Sequence, residues 1–221
     1  MTRDSGRSVP IHIVGAGGLG RETLDALFAR GCERDSLVLV DDHVVATELH
    51  GVPVRRPDDV RDGLFVVAIA DPGTRRRLAT RMLERGLVLT SVVHPRATLA
   101  HDVRIPAGCL VLANAFISTG TRLAAHTQVQ YNATIGHDSV LHEFVTVLPG
   151  ANVAGNVVLE TAVTVGSNAS VLQGLVVGAR TFIGAGAVVT KNHLGDRVLV
   201  GVPARDRGAP AGMAGAVTER P

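Results

Sequence analysis

Asn132-Ala-Thr-Ile-Gly-His-Asp-Ser-Val-Leu-His-Glu-Phe-Val-Thr-Val147 carries an aliphatic residue at Ile135, Leu141 and Val147, one every six positions. The same step continued in both directions runs from Val93 to Val189 over seventeen positions, and all seventeen are Val, Leu or Ile. The register one residue later (His94, Ala100, Pro106, Leu112, Ser118) is chemically mixed, so the signal belongs to a single phase. Two residues before each aliphatic lies a small or modest side chain, as at Ala97, Val103, Cys109, Ala115 and on to Ala187. A helix would need apolar residues at a spacing of about 3.6 and a flat strand at about 2. An unbroken period of six therefore means a short strand followed by a corner. Three such units close a triangular coil, and coils stacked at about 4.8 Å turn the inward aliphatics into ladders. That interior needs no large rings, which accounts for 46% hydrophobic residues with only 3% aromatic, no Trp, one Tyr and 25 Gly.

Residues 11 to about 88 have another rhythm. Ile11-His-Ile-Val14 reads as a strand, followed by a glycine loop, a helix over Arg21 to Arg30 and a stop at Gly31. A second strand, Leu37-Val-Leu-Val40, runs into Asp41-Asp42. A third, Leu64 to Ala70, runs into Asp71-Pro72-Gly73 and a helix over Thr74 to Arg85. Three strands alternating with helices imply a parallel sheet, with ligands at the carboxyl ends of the strands. The expected layout is an α/β unit over 1–90, an all-β coil over 91–207 and a mobile Gly/Ala/Pro-rich tail over 208–221.

A chain of 221 residues with this apolar content is neither disordered nor a disulfide miniprotein. The net charge is +2 and the 22 basic residues, of which only Lys191 is lysine, are scattered, so no nucleic-acid stripe forms. The longest apolar run, Leu64 to Ala70, is too short to span a membrane and the first residues lack a signal-peptide core, so a soluble cytoplasmic protein is expected. Cys32 and Cys109 offer neither a zinc spacing nor a disulfide framework.

Gly15-Ala-Gly17-Gly-Leu-Gly20 follows a strand and opens a helix, with Asp41 about twenty residues on, the context of a dinucleotide fingerprint. Bare amides at a helix start can approach a phosphate, and the later carboxylate can accept from a hydroxyl. NAD is one reading of this loop. A nucleotide sugar ranks above it, because only half a dinucleotide fold precedes the repeat, and a purely structural turn is a third.

The pairs Ile135-Gly136, Val165-Gly166, Val177-Gly178 and Ile183-Gly184, with the ending Gly201-Val-Pro-Ala204, resemble the hexapeptide repeat of left-handed β-helix acyltransferases. The handedness comes from that resemblance. With the small Rossmann-like unit in front, nearly the whole chain resembles nucleotide-sugar acyltransferases of the sialic-acid O-acetyltransferase and UDP-4-amino-sugar N-acetyltransferase type. The resemblance implies a cytoplasmic homotrimer that moves an acetyl group from acetyl-CoA directly to an amine, more than a hydroxyl, of a nucleotide-linked sugar, with no metal. By the same token Gly17, Gly18, Leu19, Asp41, Asp42 and Ala70 contact the nucleotide sugar. Leu19 stands where relatives often have His, and Ala70 where they often have Gly.

Of nine histidines, His137 stands out, two residues past an inward Ile135 and followed at once by Asp138. Acyl transfer needs a base, neutral imidazole suits neutral pH, and a carboxylate can orient the ring and stabilise its charged form. The competing reading is a plain exposed His-Asp pair at a coil corner. The resemblance assigns the base to His137 and the supporting role to Asp138. One coil is eighteen residues, which sets Gly155 over His137 with its N–H free for the thioester oxyanion. The resemblance further carries coenzyme A past Ser167 and Ala185, and acyl-group contact to Thr146, where relatives commonly place a second His.

A rival is a γ-class carbonic-anhydrase-like zinc site built from His101, His137 and His142, since Ile135-Gly-His-Asp-Ser-Val-Leu-His142 resembles a stretch supplying two of its ligands. The 36 residues between His101 and His137 span two coils, about 9.6 Å at about 4.8 Å per coil, too far for one ion within a chain. A binding or scaffold protein without turnover is a third possibility, opposed by the presence of His137, Asp138 and Gly155 together.

Overall fold

Ile11-His-Ile-Val14, Leu37-Val-Leu-Val40 and Leu64-Phe-Val-Val67 are near-continuous apolar runs, the pattern of strands buried on both faces of a parallel sheet. In the computed structural model, which describes residues 9–43 and 45–209, they form its centre. The order is β1 (Ile11–Val14), α1 (Gly18–Ala29), β2 (Leu37–Val40), β3 (Glu48–Leu49), β4 (Val52–Arg55), β5 (Leu64–Val67), α2 (Pro72–Glu84) and β6 (Val88–Leu89). The sheet runs β3-β4-β2-β1-β5-β6, parallel except for the β3–β4 hairpin. It has six strands where three were expected. β3 and β6 have two residues each and β4 contains Pro53, so none displays the apolar run that marks a central strand. β5 ends at Val67 instead of Ala70, α1 starts at Gly18 instead of Arg21, and α2 starts at Pro72 instead of Thr74. The α2 start follows from its cap: the Asp71 carboxylate accepts the Thr74 N–H at 2.7 Å and Pro72 takes the first helical position.

From Val92 to Val189 the chain is a left-handed parallel β-helix of two-residue strands, closed by Val198–Val200 and its antiparallel partner Arg205–Asp206. Sixteen of the seventeen period-six aliphatics are the second residue of such a strand; the exception, Ile105, lies in an unpaired stretch before Pro106. Pairings such as Ile117↔Ile135 and Ile135↔Val153 fix the coil at eighteen residues. Every aliphatic of the period from Val111 to Val189 is buried, whereas Val93, Leu99 and Ile105 of the first coil have no coil beneath them and are only partly covered. Ala115, Ala133, Ala151, Val163 and Ala187 fill the positions two residues earlier. Corners follow the same period: every sixth residue from Gly108 to Gly186 has a positive φ, occupied mostly by Gly, Asn and Asp138.

The β-helix has three faces. The first contains Val92–Val93, Gln128–Val129, Thr146–Val147 and Phe182–Ile183; the second Thr134–Ile135 and Asn152–Val153; the third Val140–Leu141, Val158–Leu159 and Val176–Val177. The N-terminal sheet packs on the first face, since Val92, Leu110 and Leu112 share a core with Leu24, Leu27 and Val54. Of the tail expected over 208–221, residues 210–221 lie outside the described residues. Among the described residues no helix is long and apolar enough to cross a membrane.

Candidate active site

His137 stands on the corner between the second and third faces, away from the N-terminal sheet. Its Nδ1 lies 2.8 Å from Asp138 Oδ2, with both side chains about half exposed. Asp138 occupies the positive-φ corner position at φ 59°, which Asp tolerates better than most residues. Gly120, one coil below, leaves the room that its carboxylate fills. With Nδ1–H donated to the carboxylate, neutral His137 presents the lone pair of Nε2, the tautomer a general base requires.

Gly155 sits on the next coil against that ring: a Cβ there would lie 2.5 Å from His137 Nε2. The Asn156 N–H donates to the His137 carbonyl at 2.7 Å, locking the two corners together. Gly155 is buried, and among the described residues its N–H meets no acceptor. The N–H at the same corner place on neighbouring coils, at Thr119 and His137, likewise meets no acceptor there, so what sets Gly155 apart is its place against the His137 ring. Here the N–H lies beside a base, the arrangement that can stabilise a developing oxyanion.

Ser167 and Ala185 lie one coil apart on a different corner, leaving the first face, with the Gly186 N–H donating to the Ser167 carbonyl at 2.9 Å. Within one chain they are not brought to His137. Thr146 differs more. It is fully buried on the first face, where its hydroxyl donates to the Ala70 carbonyl at 2.8 Å and accepts from Arg75 at 2.9 Å. Sealed beneath the N-terminal sheet, it cannot touch an acyl group from solvent, which corrects that expectation. Within one chain the zinc reading is not favoured. Among the described residues no three His, Cys, Asp or Glu side chains gather as a metal site, and the eighteen-residue register keeps His101 two coils from His137.

At the carboxyl ends of β1, β2 and β5 lies a cavity of about 240 Å³, lined by Gly15, Asp41, Asp42, Thr74, Arg77 and Arg81 among others. Asp41 shapes the loop: its Oδ2 accepts from Ala16 N and its Oδ1 from His43 N, each at 2.8 Å. Asp42 pairs with Arg81 at 2.8 Å. The glycines of the loop divide into two kinds. A Cβ on Gly20 would strike the Gly15 carbonyl and one on Gly15 would meet Ile69 at 2.7 Å, so both are required by packing. Gly17 and Gly18 are exposed at the start of α1, where a Cβ would meet nothing within 4 Å. Leu19 instead packs on the core, and Ala70 turns its carbonyl to Thr146 and Arg75. Arg77 and Arg81 were not foreseen, although the run Arg75-Arg-Arg77 at the start of a helix was a visible signal. A larger groove of about 560 Å³ separates the start of α2 from the first face, lined by Gly73, Arg76, Thr164 and Phe182 among others.

Comparison with known proteins bears on both halves. The PglD N-terminal domain family matches residues 10–82. The GDP-perosamine N-acetyltransferase of Escherichia coli O157:H7 is 32% identical over 120 residues, 50% of this chain and 54% of that protein, so the match spans about half the length of the curated relative. Among solved structures, WeeI from Acinetobacter baumannii superposes with TM-score 0.85 at 25% identity, over 90% of this chain and all of that one. A histidine-to-asparagine variant of the perosamine N-acetyltransferase from Caulobacter crescentus, in complex with CoA and GDP-perosamine, gives 0.83 at 26% identity, over 90% and 97%. The acetyltransferase domain of PglB from Neisseria gonorrhoeae, in complex with acetyl coenzyme A, gives 0.82 at 27% identity, over 90% and 99%. The chain is thus similar to hexapeptide-repeat nucleotide-sugar acetyltransferases along most of its length.

Proposed function

We propose that the protein is an acetyl-CoA-dependent N-acetyltransferase acting on the amine of a nucleotide-linked sugar, with His137 as general base. The observation that carries this reading is the stacked group His137, Asp138 and Gly155: a ring held by a carboxylate, and an unpartnered N–H one coil on. Similarity to acetyltransferases with GDP-perosamine, CoA and acetyl coenzyme A in their structures supports the substrate class. On this reading residues 1–90 form a Rossmann-like nucleotide-sugar-binding domain and 91–207 the acyltransferase domain, in a cytoplasmic enzyme.

The sugar amine attacks the thioester carbonyl while His137 Nε2 takes its proton. The C–N bond forms and the oxyanion gathers the Gly155 N–H. Collapse breaks the C–S bond, and His137 returns the proton to the leaving thiolate, so CoA departs as the thiol. No acyl-enzyme is needed. A base of this kind contributes about 10²–10⁴-fold and an oxyanion donor about 10²–10³-fold.

Asp41 and Asp42 line the pocket for the nucleotide and Arg77 adds positive charge for its phosphates, with the exposed Gly17 and Gly18 at the start of α1 as further contacts and Leu19 and Ala70 outside the pocket lining. That pocket lies on the first-face side, whereas His137 occupies the corner between the other two faces. Transfer within one chain is therefore disfavoured, and we assign the site to the groove between neighbouring copies of a homotrimer. The acetyl-CoA arm lies there past Ser167 and Ala185. Val140, Val158 and Val176 point outward along the third face and suit a neighbour's surface.

The test is mass spectrometry of products after incubation with acetyl-CoA and UDP-, dTDP- or GDP-linked amino sugars. The proposal expects one acceptor to gain a single acetyl group on nitrogen. No acetylated product across the panel overturns it.

A further inference from the structure

Among the described residues Arg75 is the largest fully buried side chain, and no carboxylate lies within ion-pair distance of it, the charge of Asp71 acting only from farther off. Burial pushes its pKa down to about 10, so it remains a cation at neutral pH. A buried charge without a counter-ion is costly unless carbonyl oxygens replace its lost water. Arg75 has them on both sides. Nη1 donates to the Ile69 and Ala70 carbonyls, each at 2.8 Å, just past the end of β5. Nε donates to the His126 carbonyl at 3.2 Å and Nη2 to the Phe144 carbonyl at 2.6 Å, on consecutive coils of the β-helix. Nη2 also reaches the Thr146 hydroxyl, which donates in turn to the Ala70 carbonyl. A further tie runs from Gln128 Nε2 to the Val67 carbonyl at 2.9 Å.

The coil corner beneath Arg75 departs from the pattern of the others. The corner after the first face uses Asn114, Asn132, Gly150, Asn168 and Gly186 at its positive-φ positions, and the corner after the second uses Gly120, Asp138, Asn156 and Gly174. The column facing α2 begins with Gly108 at φ 77° but then places His126, Phe144, Ala162 and Arg180 there, at φ between 56° and 61°. For a residue as bulky as Phe this is an unfavourable backbone conformation. His126 and Phe144 stack with centroids 4.4 Å apart, Arg76 lies over the Phe144 ring at 4.6 Å, and the carbonyls of both go to Arg75. Strain of this kind is retained where its surroundings over-determine it.

We propose that Arg75 is a positioning residue. Its fork pins the carboxyl end of β5, the floor of the nucleotide pocket, in one fixed placement over the coil stack, so that the acceptor amine is presented in register with the thioester. The inference rests on the acetyltransferase reading. Its consequence is kinetic: a shift of about 1 Å between acceptor and acyl donor is enough to cost about 10²-fold.

The test compares wild type with Arg75→Lys, which keeps the charge and loses the planar fork. The lysine variant is expected to lose at least tenfold in kcat, with KM for acetyl-CoA within twofold of wild type. Guanidinium added to Arg75→Ala is expected to restore part of the loss. If these variants do not fold, Gln128→Leu removes one tie at little change in volume, and a three- to tenfold fall in its kcat is expected. Hydrogen exchange at Leu64 to Ala70, which needs no substrate, is expected to accelerate in the folded variants. Unchanged kcat in folded Arg75→Lys, or in Gln128→Leu where only that variant folds, overturns the inference, as does a loss wholly explained by a smaller folded fraction. Inactivity of the wild type would instead strike the acetyltransferase reading, and the exchange measurement would still decide whether Arg75 holds β5 in place.

Discussion

Gly155 lies one coil above His137 and so close to it that a single methyl group on the glycine would stand 2.5 Å from the ring's Nε2. The backbone of Gly155 lies outside the positive-φ positions of the corners, so glycine is demanded there by the ring and not by the turn.

Gly155→Ala is therefore expected to fold. The His137 ring is half exposed and can swing away at little cost, but in doing so it leaves the line between nucleophile and thioester. The expected outcome is a melting temperature near that of wild type with kcat reduced about 10²-fold or more, the scale of losing a properly placed base. Steady-state kinetics beside a melting curve check it.

Replacements of Asp138 separate its two duties. Asn retains a side chain that tolerates φ 59° and loses the negative charge, so Asp138→Asn should keep stability and lower kcat about tenfold to 10³-fold. Asp138→Ala should lower both, with about 1–2 kcal/mol of stability lost to the left-handed backbone. Denaturant melts and kcat for the two variants, measured together, test this split.

The glycine loop yields an opposite pair. Gly18→Ala meets nothing within 4 Å and lies at the first position of α1, so stability should hold or rise by a few tenths of a kcal/mol while affinity for the sugar nucleotide falls at least tenfold. Gly20→Ala drives its Cβ into the Gly15 carbonyl and should destabilise the N-terminal sheet by about 1–3 kcal/mol. Calorimetric titration with the nucleotide sugar and thermal melts distinguish them. Unchanged affinity in Gly18→Ala would mean that the loop is only a turn.

Acid should weaken the fold through two buried histidines. Burial lowers the pKa of His12, whose Nε2 donates to the Asp62 carbonyl at 2.8 Å, and burial together with the nearby Arg75 charge lowers that of His126. Both stay neutral in the fold while their unfolded counterparts take up protons near pH 6.5, so stability is full above about 6.5 and declines as pH falls below it. Melting temperature followed from pH 7.5 to 5 should fall over that window, and His12→Gln should flatten part of the fall.

The β-helix was legible because its geometry constrains side chains at every turn: an inward position every sixth residue admits only aliphatics, from Val111 to Val189. The corners were legible in principle, since Asn114, Gly120, Asn132, Asp138 and Gly150 fall on one period set by backbone φ rather than by hydropathy. The β3–β4 hairpin was not, because two-residue strands and Pro53 leave no periodic mark. The pairing of His137 with Gly155 followed from counting eighteen residues. The burial of Thr146 did not, because nothing in the repeat says which face the N-terminal sheet will cover. Arg75 escaped for a related reason: all but one of its acceptors are backbone carbonyls, those on the β-helix 51 to 70 residues away, and carbonyls leave no trace in side-chain identity.

His137 as the base of an acetyl transfer can be tested in a single assay. CoA release from acetyl-CoA in the presence of the accepting amino-sugar nucleotide, measured for wild type and His137→Ala at equal concentrations of folded protein, addresses it most directly. Release by the variant is expected to fall at least about 10²-fold while its melting temperature is retained. Equal rates of release in the two proteins would contradict it.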